Sequence, residues 1–245
     1  MASTSRVAIV TGASRGIGAA IAERLAQDGL TVVVNYSGSR QAAEQLVEKI
    51  EAAGGKALTA QADVSKAEEV QRMFDAAETA FGGVDVLINN AGIMRLAPMS
   101  EASDELVDSQ IATNLKGTIY TLREAARRLR DGGRIINLSS SVVGLSLPSY
   151  GPYIATKAAV EGLTRVLANE LRGRNITVNA VAPGPTATAL FLDGKSAELV
   201  DRMAKMNPLE RLGTPEDIAG AVAFLAGPEG GWINGQVLRA NGGMI

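Results

Sequence analysis

The sequence predicts an α/β fold in which a seven-stranded parallel sheet has helices on both faces. Short β-branched runs alternate with longer segments rich in Ala, Leu and Glu, and the runs lack the polar alternation of a half-exposed strand. Regular alternation of strands and helices favours parallel pairing with right-handed crossovers. The predicted strands span residues 7–11, 31–35, 56–60, 86–89, 134–139, 177–182 and 236–239.

Length and composition indicate one domain that binds a small molecule. The 245 residues contain no repeat and no linker-like segment, so we expect a single domain over 1–245. With 24 basic and 26 acidic residues the net charge is −2, which argues against nucleic acid or an anionic membrane as a partner. The sequence has neither a run of about 18 apolar residues nor a leader, so we expect a cytoplasmic protein.

Tyr153 and Lys157 are the first candidates for catalysis. The chain has no Cys and no His, which leaves Tyr, Lys, Asp and Glu for proton transfer. The pair lies four residues apart in Y-I-A-T-K, so both side chains project from one face of a predicted helix. We expect the ammonium to lower the pKa of Tyr153, so that the phenol exchanges a proton with a carbonyl or alcohol oxygen. The alternative is an ordinary surface pair, because this spacing is common on helices.

A glycine-rich turn joins the first predicted strand to a helix that runs to about Asp28. Such glycines let the backbone approach a pyrophosphate, which then lies at the positive end of the helix. A phosphate loop of the Gly-Lys-Ser/Thr type is excluded, because two alanines follow the last glycine. The turn T-G-A-S-R-G-I-G contributes the candidates Gly12, Ser14, Arg15, Gly16, Ile17 and Gly18.

The end of the second predicted strand indicates NADPH rather than NADH. About 20 residues after the glycine turn, an NAD site places an acid on the ribose 2′-hydroxyl. This chain has Asn35, Tyr36 and Ser37 there. With no acid present, and with Arg15 and Arg40 nearby, a 2′-phosphate would meet donors and positive charge. The alternative is that both arginines are solvated surface charges.

Two further strand ends carry candidate cofactor contacts. Asp63 and Val64 close the third strand, where the carboxylate could accept from an adenine amino group, although helix capping by Asp63 or Ser65 explains the pair almost as well. The fourth strand is followed by N-N-A-G, which allows close approach to a ribose or simply forms a turn, and its candidates are Asn90, Ala91 and Gly92.

The segment 184–212 interrupts the alternation of strands and helices. Its Pro-Gly start and a helix-like stretch with Leu190, Phe191, Leu199 and Met203 indicate an insertion at the carboxyl ends of the strands. We expect residues of about 185–212 to form a substrate lid, and the alternative is a packed surface helix.

Together these features resemble the classical short-chain dehydrogenase/reductase family over nearly the whole chain. The resemblance rests on T-G-A-S-R-G-I-G, the Asp63-Val64 step, N-N-A-G, T-N-L-K-G, the serine cluster after R-I-I-N, Y-I-A-T-K, P-G-P-T-A-T and the final N-G-G, which occur in family order. Within the family the chain is most similar to NADPH-dependent 3-oxoacyl-acyl-carrier-protein reductases. The resemblance implies a Rossmann-type doubly wound fold. It also implies a reaction that needs no metal.

The resemblance also implies a role for individual residues. Tyr153 would be the general acid that protonates a ketone oxygen, and Lys157 would keep the phenol acidic and bind the nicotinamide ribose. Ser140 would polarise the carbonyl, with Ser141 as the alternative in the run of three serines, and Asn114 would hold a water that links Lys157 to solvent. The residues that would surround the nicotinamide are Pro183, Gly184, Thr186 and Thr188.

These roles imply an NADP(H)-dependent reductase that converts a ketone to a secondary alcohol. Its substrate would be an acyl-carrier-protein thioester or, alternatively, a free small-molecule ketone, sugar or other alcohol. Cationic contacts for an acidic carrier would come from arginines near two helix ends, for which the alternative is solvated charges that complement the helix dipole, namely Arg127, Arg128, Arg172 and Arg174. Two alternative functions belong to other classes of protein, namely a non-catalytic NADP-binding protein and a methyltransferase. The resemblance further implies a homotetramer or homodimer formed through the helices 112–130 and 153–172.

Overall fold

The protein is described here by a computed structural model that covers residues 5–245. Its seven strands form one parallel sheet in the order β3-β2-β1-β4-β5-β6-β7, which confirms the predicted fold class. The strands are β1 (Val7–Val10), β2 (Thr31–Tyr36), β3 (Lys56–Gln61), β4 (Val84–Asn89), β5 (Leu129–Leu138), β6 (Thr177–Pro183) and β7 (Val237–Ala240).

Helices cover both faces of this sheet. Alternate residues of β1 show the division: Ala8 and Val10 belong to one buried cluster, and Val7 and Ile9 belong to the other. The helices are α1 (Gly16–Gln27), α2 (Arg40–Ala52), α3 (Ala67–Phe81), α4 (Asp104–Gln110), α5 (Gly117–Arg128), α6 (Val142–Leu145), α7 (Gly151–Glu170), α8 (Ala189–Leu192), α9 (Ala197–Ala204) and α10 (Pro215–Ala226).

The two layers are closed by large apolar side chains. Ile21 of α1 and Ile218 of α10 are buried in the first cluster, and Phe74 of α3 is buried in the second. A buried side chain of this size stabilises the fold by about 1.5–3 kcal/mol. Both faces of the sheet are therefore covered by packed helices, and the carboxyl ends of the strands remain open for a ligand.

The strand β5 begins five residues earlier than predicted. Leu129 pairs with Val84, and the register then shifts before Val86 pairs with Arg134. Gly132 lies within this irregular stretch at a φ of 82°, a left-handed conformation that glycine adopts without strain. The predicted helix 112–130 therefore ends at Arg128, because the following residues already belong to the sheet.

A short π-helical segment, Ile111–Lys116, joins α4 to α5 and contains Asn114. The wider turn shifts the phase of the long helix at this point. The backbone carbonyl of Asn114 accepts a hydrogen bond from the hydroxyl of Thr118 at 2.8 Å. The helix irregularity thus places the Asn114 side chain on the sheet side, where it is buried.

The predicted insertion lies between β6 and α10 and contains α8 and α9. A parallel bridge joins Thr186 to Gly213, and the Gly213 amide donates to the Pro185 carbonyl at 2.9 Å. The two ends of the segment are therefore held together at its base. Within residues 5–245, no helix is long and apolar enough to cross a membrane.

Candidate active site

A cleft of about 520 Å³ opens at the carboxyl ends of the strands. The strand order reverses at β1: β2 and β3 lie on one side of it, and β4 to β7 lie on the other. Open α/β sheets bind their ligands at such a reversal of strand order. All the predicted cofactor-binding residues line the cleft, as do Ser140, Tyr153 and Lys157. Asn114 lies directly behind its wall.

The glycine turn approaches the end of β4 so closely that larger side chains would not fit. A Cβ on Gly12 would lie 2.8 Å from the Ala91 Cα atom, and one on Gly18 would lie 2.6 Å from the Gly12 carbonyl oxygen. The helix α1 begins at Gly16 beside the cleft. Because glycine has no side chain, it leaves the unpaired amide groups of the first turn open to a ligand. This cradle fits the pyrophosphate of a dinucleotide.

Asn90 and Thr11 tie the glycine turn to the end of β4. The Asn90 Nδ2 atom donates to the carbonyls of Thr11 and Gly12 at 2.9 and 3.0 Å. The Thr11 hydroxyl accepts from the amides of Asn90 and Ala91, each at 3.0 Å. The Asn90 side chain thus holds two loops together, while the backbone of this segment lines the cleft.

Asn35 has a structural role that the sequence did not indicate. Its Oδ1 atom accepts from the Gly12 amide at 3.0 Å, and its Nδ2 atom donates to the carbonyls of Ala60 and Ala62 at 3.1 and 3.0 Å. The residue is 1% exposed. Both amide hydrogens are therefore used inside the protein, and the side chain joins the glycine turn to β2 and β3.

The two arginines of the cofactor prediction lie in different surroundings. Arg15 is exposed and lines the cleft beside Ser37, which is also exposed. Arg40 is the first residue of α2 and forms an exposed ion pair with Glu44 at 3.6 Å. Arg40 thus forms an exposed ion pair away from the cleft lining, whereas Arg15 lies at the cleft.

The capping alternative for Asp63 is not what the structure contains. The helix α3 begins at Ala67 with Lys66 as its capping residue. Asp63 instead accepts from the amide and the hydroxyl of Ser65 at 3.0 and 2.7 Å, which forms a local turn. Asp63 and Val64 both line the cleft at the end of β3.

Tyr153 and Lys157 meet at the centre of the cleft, one helical turn apart on α7. The Lys157 Nζ atom lies 5.8 Å from the centroid of the Tyr153 ring and donates to the Leu138 carbonyl at 2.7 Å. Tyr153 is partly buried, and Lys157 is 5% exposed. The lysine is thus fixed beneath the phenol by the last residue of β5.

Burial controls the protonation of both groups. It raises the pKa of Tyr153 to about 12, although a hydrogen bond with Ser140 acts in the opposite direction. Burial also lowers the pKa of Lys157 to about 8. The pKa of Tyr153 is therefore raised overall, contrary to the expected lowering, because loss of water is the largest cause. The phenol remains protonated at neutral pH and can donate.

The three consecutive serines point to different places. The Ser139 hydroxyl donates to Glu161 of α7 at 2.7 Å, and the Ser141 hydroxyl donates to the Ala182 carbonyl at 3.0 Å. The amides of both residues continue the ladder to β6. Ser140 lies between them on the opposite side, where its hydroxyl can bond the Tyr153 phenol. Alternation along an extended backbone therefore directs Ser140 at the tyrosine.

The Asn114 side chain holds the loop that follows N-N-A-G. Its Oδ1 atom accepts from the Ile93 amide at 2.8 Å, and its Nδ2 atom donates to the Ile93 carbonyl at 2.9 Å. A Cβ on Gly92 would lie 3.3 Å from Asn114 Oδ1 and 3.7 Å from Lys157 Nζ. Asn114 and Lys157 therefore reach the same glycine from two helices.

Several cleft residues were missed from the sequence because the loops that carry them have no distinctive spacing. Tyr150 is the exception, since it lies one helical turn before Tyr153. The two rings meet edge to face with their centroids 6.5 Å apart. Further residues that line the cleft and were not predicted include Ile93, Met94, Leu147, Met206 and Met244.

The fold and the site define an oxidoreductase domain, and comparisons with known proteins give its family. The family model described as "Enoyl-(Acyl carrier protein) reductase" matches residues 12–245. A "Short-chain type dehydrogenase/reductase" of Picea abies is 49% identical over 98% of this chain and 92% of its own length. The chain belongs to the classical short-chain dehydrogenase/reductase family.

Other relatives differ in the activity that their names state. The "NADPH-dependent aldehyde reductase-like protein, chloroplastic" of Arabidopsis thaliana is 45% identical over 98% of this chain and 94% of its own. The 3-oxoacyl-acyl-carrier-protein reductase FabG of Staphylococcus aureus is 45% identical over 98% of both chains. Among solved structures, a short-chain dehydrogenase from Burkholderia cenocepacia in complex with NADP has a TM-score of 0.92 and 40% identity over 98% of this chain and 97% of its own.

Proposed function

We propose that the protein reduces a ketone to a secondary alcohol with NADPH. The observation that carries the proposal is the convergence of the Ser140 hydroxyl and the Tyr153 phenol above the buried ammonium of Lys157. The two hydroxyl groups can donate to one carbonyl oxygen, and the phenol is protonated at neutral pH. The solved relative from Burkholderia cenocepacia that holds NADP supports the choice of cofactor.

Each group at the centre of the cleft has one task in this proposal. Bound NADPH supplies the hydride. Ser140 hydrogen-bonds the carbonyl oxygen and Tyr153 transfers its phenolic proton to it, so that negative charge does not accumulate there. Lys157 is held by the Leu138 carbonyl and stabilises the phenolate that remains. Proton resupply would run from solvent through a water held by Asn114 to Lys157, and the two side chains both lie near Gly92.

The cofactor would lie across the sheet from the glycine turn to β6. The amides at the start of α1 would hold the pyrophosphate. The ends of β2, β3 and β4 would contact the adenosine through residues that line the cleft, with Asp63 and Val64 nearest the adenine. The nicotinamide would lie against the end of β6 and the residues that follow it, namely Pro183, Gly184, Thr186 and Thr188. A Cβ on Gly16 would lie 3.5 Å from the Thr188 methyl group, so this segment approaches the start of α1.

The cofactor preference gives the first test of this proposal. NADPH oxidation in the presence of a carbonyl substrate is expected at a kcat/KM at least about tenfold above that of NADH, because Arg15 and Ser37 can contact a 2′-phosphate. Ser37→Asp should reverse this preference, since a carboxylate there repels the phosphate. Ser100→Asp, at an exposed position outside the cleft lining, is the matched control. Higher kcat/KM with NADH in the parent protein would contradict the assignment.

The serine that polarises the carbonyl can be identified by two matched variants. Ser140→Ala is expected to lower kcat by about 10²-fold with little change in stability, because its hydroxyl faces the phenol. Ser141→Ala is expected to lower the free energy of unfolding by about 1 kcal/mol, since it removes the bonds to Ala182 and Asn241. Steady-state kinetics and urea unfolding measure the two effects. The opposite pattern would assign the role to Ser141.

A free carbonyl compound is the first candidate substrate, because two of the four arginines considered for an acidic carrier are engaged within the protein, while Arg127 and Arg172 remain exposed. Arg128 is held by Asp75 and Glu78, each at 2.6 Å, and Arg174 is held by Asp131 at 2.8 Å and by the carbonyls of Ala126 and Leu129. These two arginines stabilise the fold rather than present a surface for an acidic carrier. Reduction of a carrier-bound 3-oxoacyl thioester is the second candidate, because one relative is named a 3-oxoacyl-acyl-carrier-protein reductase.

We propose a homotetramer or a homodimer, formed through α5 and α7, in the cytoplasm. In support, α7 exposes small side chains at Ala155 and Ala158 and an apolar one at Val166, and α5 exposes Ile119. Small and apolar side chains on a helix surface admit close packing of a second helix.

A further inference from the structure

The order of the strands divides the cleft into two chemically different halves. The half that follows β1, β2 and β3 contains the exposed cation Arg15 and the anion Asp63. The other half, formed by the segments after β5, β6 and β7 together with Met94 after β4, contains Tyr153 and most of the apolar lining. Within residues 5–245, Lys157 is the one charged side chain among the lining residues of this second half, and its ammonium is buried against the Leu138 carbonyl.

The apolar half is lined by flexible side chains on several separate segments. Met94 follows β4, Leu147 follows α6, and Met206 follows α9. Methionine side chains adapt to ligands of different shape because they are unbranched and polarisable. The apolar lining of this half, named below the apolar subsite, is Met94, Val142, Leu147, Leu190, Phe191, Met203, Met206 and Met244.

Charged groups next to the apolar subsite are held by other parts of the protein. Lys195 donates to the Phe191 carbonyl and lies 4.7 Å from the centroid of that ring. Arg95 pairs with Glu105 at 3.5 Å, and Glu161 accepts from Ser139 behind the wall. Lys195 and Arg95, which flank the apolar subsite, are therefore engaged with groups of the protein.

We propose that the apolar subsite selects uncharged carbonyl compounds with an alkyl or aryl substituent and rejects substrates that carry a carboxylate or phosphate next to the carbonyl. This inference rests on the proposed function and narrows its substrate class. A buried methylene is stabilised by transfer out of water, whereas an anion in the same place loses its hydration without gaining a partner. The subsite thus favours lipophilic ketones over sugar phosphates and free oxo acids.

Two matched substrate series test the proposal in steady-state kinetics with NADPH. Among straight-chain methyl ketones, kcat/KM should rise about two- to fourfold for each added methylene until the subsite is filled. An ethyl 3-oxoalkanoate should exceed the anion of the same 3-oxo acid by at least about tenfold. Equal rates for ester and anion, or no dependence on chain length, would overturn the proposal.

A gain of function at Met206 tests the same inference within the protein. Met206 is 44% exposed, so Met206→Lys can keep its ammonium solvated at the mouth of the cleft. This variant should raise the anion-to-ester ratio of kcat/KM about three- to tenfold, while Met206→Gln should leave it unchanged. Leu209→Lys, at a 62% exposed position outside the lining, controls for a general change in surface charge. An unchanged anion-to-ester ratio in Met206→Lys would contradict the proposal that the apolar subsite rejects anionic substrates.

Thermal unfolding of the NADP complex separates this inference from the proposed reaction. A long-chain ketone should raise Tm and the matched oxo acid should not, since only the ketone gains from burial in the folded protein. If no substrate is reduced but the ketone still raises Tm, the proposed reaction is wrong and the subsite stands. If the oxo acid raises Tm as much as the ketone, the subsite is overturned whatever the kinetics show.

Discussion

Tyr153→Phe is expected to lower kcat for carbonyl reduction by a factor of about 10³ or more while NADPH still binds. The variant keeps the ring that packs edge to face with Tyr150 and removes only the hydroxyl. The developing alkoxide would then lack its proton donor, and no His or Cys exists in the chain to replace it. Lys157 cannot take over, because its ammonium is directed at the Leu138 carbonyl.

Single-turnover and steady-state measurements of NADPH oxidation check this result. Tyr150→Phe is the matched control, since it removes a phenol from the same cleft at a distance of 6.5 Å between ring centroids and should change kcat by less than about fivefold. NADPH binding, followed by its fluorescence, should be similar in all three proteins. Retention of more than about a tenth of the parent activity in Tyr153→Phe would refute the role of general acid.

The pH profile gives the same prediction a second readout. The rate of carbonyl reduction should be level below pH 8 and should fall above it, because burial lowers the pKa of Lys157 to about 8 and the neutral amine no longer stabilises the phenolate. Tyr153 itself stays protonated over this range, since its pKa is raised to about 12. A rate that increases between pH 8 and 10 would show that a deprotonated group drives the reduction.

Asn35→Ala is expected to lower the free energy of unfolding by about 3 kcal/mol. The substitution removes three hydrogen bonds and leaves the Gly12 amide and the carbonyls of Ala60 and Ala62 in a buried place without this partner. Each buried polar group that loses its partner costs about 1–3 kcal/mol, and relaxation of the loop offsets part of the sum. Because Gly12 belongs to the cofactor cradle, the dissociation constant for NADPH should rise as well.

Urea unfolding and an NADPH titration measure these two effects. Ser37→Ala, two residues further along and exposed, is the control and should change the free energy of unfolding by less than about 0.5 kcal/mol. Saturating NADPH should recover part of the stability lost in Asn35→Ala, since binding stabilises the folded state. A loss below about 1 kcal/mol would mean that the Asn35 bonds are replaced by water.

The cofactor side of the cleft was predictable because its residues are neighbours in sequence. The glycine turn, N-N-A-G and the Asp63-Val64 step each follow directly on a strand, and the carboxyl ends of parallel strands meet at one edge of the sheet. Tyr153 and Lys157 are equally local, being one turn apart on α7. The apolar subsite was not predictable to the same extent, because its side chains come from four separate loops whose approach depends on the whole fold.

The sequence by itself determined the α/β class, the seven strands and the placement of Tyr153 and Lys157 on one helix face, because these depend on the periodicity of apolar residues and on spacings within one element. Only the tertiary structure decided where β5 begins, that the Asn35 side chain ties the glycine turn to β2 and β3, and that burial raises the pKa of Tyr153. It also decided which of three adjacent serines faces the phenol. The physical reason is common to all of these: hydrogen-bond partners and exposure to water are set by residues far apart in the chain, and short-range patterns carry no record of them.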